Sequence, residues 1–200
     1  MRFHVGAVPE SEDFVPDESW KPLSGPGPVL MQCYALPLGM IASAVLVLLW
    51  IHWTPVTKTP VFSPILLGAI ILATFPVHEL IHVAILPGAG KSPKTTLAVW
   101  PSRMLFYVYY DGELSRNRSI AFLGMPLLVM SIVPLLVSAL IGHASVTIAF
   151  ASAYNALAAG GDIFGICLLL FQVPRTAIIR NHGWKTYWRL NSPLTKQETT

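Results

Sequence analysis

Charge is what this sequence has least of: Asp, Glu, Lys and Arg make up only 12% of its 200 residues, while 54% are hydrophobic. Soluble domains carry about twice that share of charge, so an ordinary water-soluble domain is excluded and the bilayer must be the solvent. Cysteine is nearly absent. Cys33 and Cys167 stand far apart and in no C-x-x-C pair, which excludes a disulfide framework and a cysteine-based zinc ribbon and leaves both as small buried residues. No internal repeat or low-complexity tract is visible. Leader-peptide signals are few as well: Glu10, Glu12, Asp13, Asp17 and Glu18 precede the first apolar run and no convincing small-residue cleavage site follows it, so that run is expected to be a retained transmembrane helix. The net charge of +3 is too small to mark a nucleic-acid footprint and is explained by membrane orientation.

What is present in quantity is apolar sequence. Four runs, Val29 to Trp53, Phe62 to Leu86, Ser119 to Ile141 and Ser145 to Gln172, each reach the roughly 20 residues that span a hydrocarbon core. The remainder leaves no room for a second globular domain, so residues 1–200 are expected to form a single membrane-embedded unit. The expected fold is an all-α polytopic membrane protein of about four transmembrane helices, with a short membrane-surface β segment in one loop. That segment is Leu105 to Tyr110, LFYVYY, β-branched and aromatic and followed by the turn signal Asp111-Gly112. The basic tail from Pro174, with Trp184, Tyr187 and Trp188, reads either as a segment resting on anionic headgroups or as a solvated terminus. Of the thirteen Lys and Arg residues, placing both termini and the loop from Pro87 to Arg118 in the cytosol puts all but Lys58 inside, the asymmetry of the positive-inside rule.

Within the spans, hydrocarbon should exclude ionisable groups, yet His78, Glu79, His82 and Asp162 are there. A charge at mid-membrane costs on the order of 2.5 to 3.5 kcal/mol even on the lenient insertion scale, so each marks a functional site by default. His78 and His82 stand four apart, one turn above the other on one helix face, where both can reach a single metal ion. Glu79, about 100 degrees round the helix from His78, stays beside the metal, where it can handle the proton of a water molecule without being a ligand. A tetrahedral catalytic zinc wants a third protein ligand. Asp162 is the candidate, because His78 lies sixteen residues in from Phe62 and Asp162 seventeen in from Ser145 on spans running the same way, which places them at similar depth. A purely structural or supporting role for Asp162 is the alternative. Asp111 and Glu113 belong to the loop, and His143 to the far end of the bundle.

Three further features flank that cluster. Pro76 removes one helical hydrogen bond two residues before His78, either a harmless kink or a point of loosening. Gly160 and Gly161 permit close approach or local unwinding before Asp162. Asn155, seven residues earlier, shares a helical face with Asp162, and its amide would either bond a substrate carbonyl or developing oxyanion or simply pack between helices. The strand Phe106, Tyr107, Val108 and Tyr109 could hold an extended substrate as an added strand, or merely plug the bundle.

The HELIH of the second span, the DGELSRNRSIAFLGMP that follows the basic loop, and the NALAAGGD of the fourth together resemble the putative zincin peptidases, bacterial membrane proteins akin to site-two proteases. The resemblance runs from about Trp20 to Pro174. It implies a zinc-dependent peptidase of a bacterial cytoplasmic membrane that cuts membrane-protein or peptide substrates in or beside the bilayer, with His78, His82 and Asp162 as ligands and Glu79 as base. In site-two proteases an Asn-x-x-Pro precedes an Asp-Gly; here Ile163 follows Asp162 and no proline lies between Asn155 and Asp162. A non-catalytic zinc-binding membrane adaptor or regulatory protein is the reading from another class. A metal transporter is weaker, since one cluster makes no chain of sites along a path.

Overall fold

The computed structural model describes residues 1–11, 13–54 and 63–191. In chain order the elements are strands β1 (Arg2–Val5) and β2 (Lys21–Pro22), helices α1 (Pro28–Trp53) and α2 (Pro64–Ile85), strands β3 (Thr95–Trp100), β4 (Leu105–Tyr110) and β5 (Leu114–Ser115), helices α3 (Arg116–Leu127), α4 (Val133–Ile141), α5 (Val146–Ala158) and α6 (Gly160–Gln172), and strands β6 (Ala177–His182) and β7 (Lys185–Leu190). A π-helical segment, Leu128–Ile132, joins α3 to α4. Three helical stretches are long and apolar enough to cross a membrane: α1, α2, and the continuous run Arg116–Ile141. The pair α5 and α6, bent by 49°, makes a fourth if counted as one span. Lys58 and the expected start of the second span at Phe62 lie outside the described residues.

Helix boundaries follow local chemistry. Proline opens α1 and α2 at a position whose N–H would be unpaired anyway. Ser63, Ser115 and Ser145 cap α2, α3 and α5, each hydroxyl accepting from the backbone N–H three residues on. Gly142, at φ 67°, closes α4 in the left-handed conformation. Between α5 and α6 the chain turns at Ala159, and α1 crosses this joint at very close range. A Cβ on Gly160 would collide with the Ala35 carbonyl, and one on Gly39 with the Leu157 carbonyl, so only glycine lets the backbones meet. Deep in the bundle Leu46, Trp50, Leu135 and Ala156 form one apolar core; Leu169, Val173, Ala177 and Ile179 form a second where α6 meets the strands.

The β content exceeds the expected short segment, so the all-α description holds only for the membrane part. β3 pairs antiparallel with β4 and parallel with β1, giving the order β1-β3-β4. A second, antiparallel sheet has the order β2-β7-β6-β5. The described part of the tail after Pro174 is a β-hairpin: β6 and β7 pair along their full length around a two-residue connection, Gly183-Trp184, with Gly183 at φ 56°. Two of its arginines hold the N-terminal segment, with Arg180 over the Phe14 ring and Arg189 over Trp20. Cys33, expected to be buried, is exposed, and Cys167 is half-buried.

Candidate metal centre

Helix α2 is inverted relative to a soluble amphipathic helix. Thr74, His78, Glu79, His82 and Val83 form its buried face, while Leu72, Val77 and Leu80 are exposed, as expected when the solvent is lipid. The i, i+4 spacing brings the rings of His78 and His82 to 4.8 Å between centroids. Ligand atoms of His78, Glu79 and His82 lie within 4.8 Å of one another, a group that could hold a metal ion. Asp162 enters from the first turn of α6. The break at Ala159 gives α6 its own N-terminus inside the bundle, where unpaired backbone N–H groups favour a carboxylate. Asp162 Oδ2 stands 3.0 Å from His78 Nε2 and Oδ1 3.4 Å from His82 Nε2, with the two Nε2 atoms 3.2 Å apart.

Hydrogen bonds on the far sides of the rings fix which atoms carry protons. His82 Nδ1 lies 2.7 Å from the Phe122 carbonyl, which can only accept, so Nδ1 donates. Phe122 is free to accept because the residue four later is Pro126, inside α3 and without an N–H. His78 Nδ1 faces Asn155 Oδ1 at 2.9 Å. The Asn155 amide cannot be reversed, since its Nδ2 donates to the Pro126 carbonyl at 3.1 Å, a pure acceptor, and to Ser131 Oγ at 2.8 Å. His78 Nδ1 therefore donates as well. With both Nδ1 positions protonated, neutral rings present only Nε2 lone pairs to each other and to a carboxylate. Three acceptors then converge within hydrogen-bond distance, an arrangement that a metal ion between them, or a proton on one Nε2, would satisfy.

Sequence reasoning brought His78, Glu79, His82 and Asp162 to one place on helical spacing and depth, and the structure sets the buried His78, Glu79 and His82 beside a half-buried Asp162. Asn155 is fully buried and sits behind His78. Its oxygen points at the histidine and both amide hydrogens are engaged, so the oxyanion contact expected of it has no hydrogen to use in this arrangement. Asp111 and Glu113 are elsewhere, bonded to Ser11 and Arg180 and to Arg189 respectively. Ser131 and the Phe122 carbonyl were not anticipated; the signal for Phe122 was Pro126, four residues on in a helical run.

Strand β4 is an edge of its sheet and leans on α2, Phe106 stacking on Phe75 with centroids 5.6 Å apart. Phe75 is one turn before Glu79 and also meets Tyr154, next to Asn155, at 6.1 Å. Tyr107 donates to the Gly6 and Ala7 carbonyls. Tyr109 is buried and donates to the Asn181 carbonyl; burial and nearby Asp111 push its hydroxyl pKa up to about 12. Arg116 and Arg118, in the first turn of α3, stand at the wrong end of their own helix dipole and cap other helices. Arg116 donates to the Leu169 and Leu170 carbonyls at the end of α6, and Arg118 to Ile85 at the end of α2. The two helices that carry the cluster are thereby held by one turn of a third.

Residues 71–178 match the model of a family described as putative zincin peptidase. No curated protein and no solved structure matches significantly.

Proposed function

The chain belongs to the putative zincin peptidase family, and from that premise we propose that it is an HExxH-type zinc metallopeptidase that hydrolyses peptide bonds of membrane-protein substrates within or beside the bilayer. The observation that carries this reading is the convergence of two Nε2 lone pairs and the Asp162 carboxylate, with Glu79 adjacent. Ligands about 2.0 to 2.2 Å from a tetrahedral zinc are separated by about 3.4 Å; the three contacts here are 3.0, 3.2 and 3.4 Å. His78, His82 and Asp162 would hold the ion, two imidazoles and one carboxylate being a donor set of catalytic zinc. Bound there, zinc supplies Lewis acidity to a water molecule and to the scissile carbonyl.

The rest of the chemistry falls to the chain. Glu79 accepts a proton as water adds to the carbonyl carbon, and returns it to the amine as the C–N bond breaks, so peptide and water become a carboxylic acid and an amine. Asn155 and the Phe122 carbonyl keep the imidazoles in the tautomer that leaves Nε2 free. A transmembrane substrate must unwind before its carbonyls can be reached, and the free edge of β4 offers backbone partners for the unwound segment. A cysteine at Val108 should then form disulfides with cysteines flanking the cleavage site of a trapped substrate; capture equal to that at a distant exposed position would refute the added strand. Both termini and the Pro87 to Arg118 loop lie in the cytosol on this reading, which places the site on that side.

Glu79→Gln tests the function directly. The amide keeps the side-chain size but cannot take the proton, so the variant should retain its zinc stoichiometry while losing cleavage of a membrane-embedded substrate. His82→Ala and Asp162→Asn should lose zinc itself. Full activity in Glu79→Gln would defeat the mechanism, and a wild-type chain that holds zinc yet cleaves nothing would favour the adaptor.

A further inference from the structure

The β1-β3-β4 sheet has two unlike faces. Its register aligns Phe3 with Leu97 and Val108, and Val5 with Val99 and Phe106, and paired residues point to the same side of a sheet. One face is therefore apolar in all three strands. The other carries Thr96, Ala98 and Tyr109, all buried, with Tyr109 and Tyr107 bonded to the hairpin and to the N-terminal segment. The protein core thus lies on the second side, while the apolar side is open over part of its area: Phe3 is 69% exposed, Val5 62% and Phe106 41%, with Leu97, Val99 and Val108 half-buried. A soluble protein avoids such a face on an edge strand.

This face reaches the middle of α2, where Phe106 packs on the half-buried Phe75, and elsewhere round the same helix Leu72, Val77 and Leu80 are exposed. The connection between β3 and β4 continues the pattern, with Met104 90% exposed at φ 49°. Beside it Arg103 lies over the Trp100 ring, an aromatic and basic pair of the kind found at the headgroup level. We propose that this sheet is a membrane-immersed plate, its apolar face of Phe3, Val5, Leu97, Val99, Phe106 and Val108 lying in the lipid that surrounds α2, so that the N-terminal strand is a lipid anchor and the free edge of β4 is held within the leaflet. A second copy of the chain or a peptide seated on the face are the competing occupants.

Nitroxide labels distinguish the three. Single cysteines at positions 3 and 5, and at 2 and 4 as the opposite-facing controls, are introduced into the full chain with Cys33 and Cys167 replaced by alanine, and the protein is reconstituted in phosphatidylcholine and phosphatidylglycerol vesicles. Positions 3 and 5 are exposed, so a label there displaces no packing. Oxygen, which partitions into lipid, should relax the labels at 3 and 5 more than a water-soluble nickel chelate does, and labels at 2 and 4, on the side that faces the protein, should lack that preference for oxygen. Nickel dominance at 3 and 5 would put the face in water; protection there from both reagents would put protein on it. Either result overturns the proposal.

Discussion

Replacing Asn155 by alanine separates a residue that orients a ligand from one that merely fills the bundle. The change removes the acceptor 2.9 Å from His78 Nδ1 and the donors to the Pro126 carbonyl and Ser131 Oγ at 3.1 and 2.8 Å. Ser131 keeps a partner, since its hydroxyl also donates to the Ser152 carbonyl at 2.7 Å. Two groups, the His78 N–H and the Pro126 carbonyl, then lose this partner in the interior of the bundle. At about 1 to 3 kcal/mol for each, the fold should lose about 2 to 6 kcal/mol. Metal affinity should fall separately, because His78 no longer has a reason to keep its proton on Nδ1; loss of such an outer partner typically costs about 10- to 100-fold. Asn155→Asp divides the two effects. A carboxylate still accepts from His78, so affinity should stay near the parent's, but it sets oxygen against the Pro126 carbonyl and should lower stability. The assay is competition of the purified variants against a zinc chelator beside thermal unfolding in the same detergent. Parental zinc affinity in a folded Asn155→Ala protein would refute the orienting role.

Other outcomes follow from the same geometry. Pro126→Ala returns an N–H to α3 that competes with His82 for the Phe122 carbonyl, so zinc affinity should fall several-fold, on the order of 10-fold, while helix stability rises; circular dichroism beside chelator competition reads both. Gly160→Ala drives a methyl group into the backbone of α1 and should cost about 1 to 3 kcal/mol or more, measured as earlier thermal unfolding, with loss of zinc because Asp162 begins two residues later. A single cysteine at Arg103 should resist impermeant labelling from outside intact cells; strong labelling there would reverse the orientation.

The sequence was most legible where the physics is local. Apolar runs mark helices because the bilayer demands length and internal hydrogen bonding, and HELIH shows itself because four residues are one turn. Asp162 needed only the added assumption that neighbouring spans are level. The sheets were hidden for the opposite reason. β1 and β3 pair across more than ninety residues, and β2 and β5 have only two residues each, too few to show a period. The β6–β7 hairpin had its signal in Gly183 between two alternating runs, but its tryptophans and arginines looked equally suited to a membrane surface. Asn155 could be seen as a buried amide; its partners could not, because they are a backbone carbonyl of α3 and a serine in a π segment.

The arginines of α3 also bear on biogenesis. Arg118 finds its acceptor, the Ile85 carbonyl, in a helix already made. Arg116 must wait, because Leu169 and Leu170 are synthesised 53 and 54 residues after it. Until α6 arrives, the guanidinium of Arg116 has no carbonyl to replace water and cannot sink to its buried position without a large penalty. The buried place of Arg116 and the place of Asp162 beside the histidines therefore both depend on α6. A chain ending before α6 would hold both histidines yet lack the Asp162 carboxylate, so the group is completed only by the last helix.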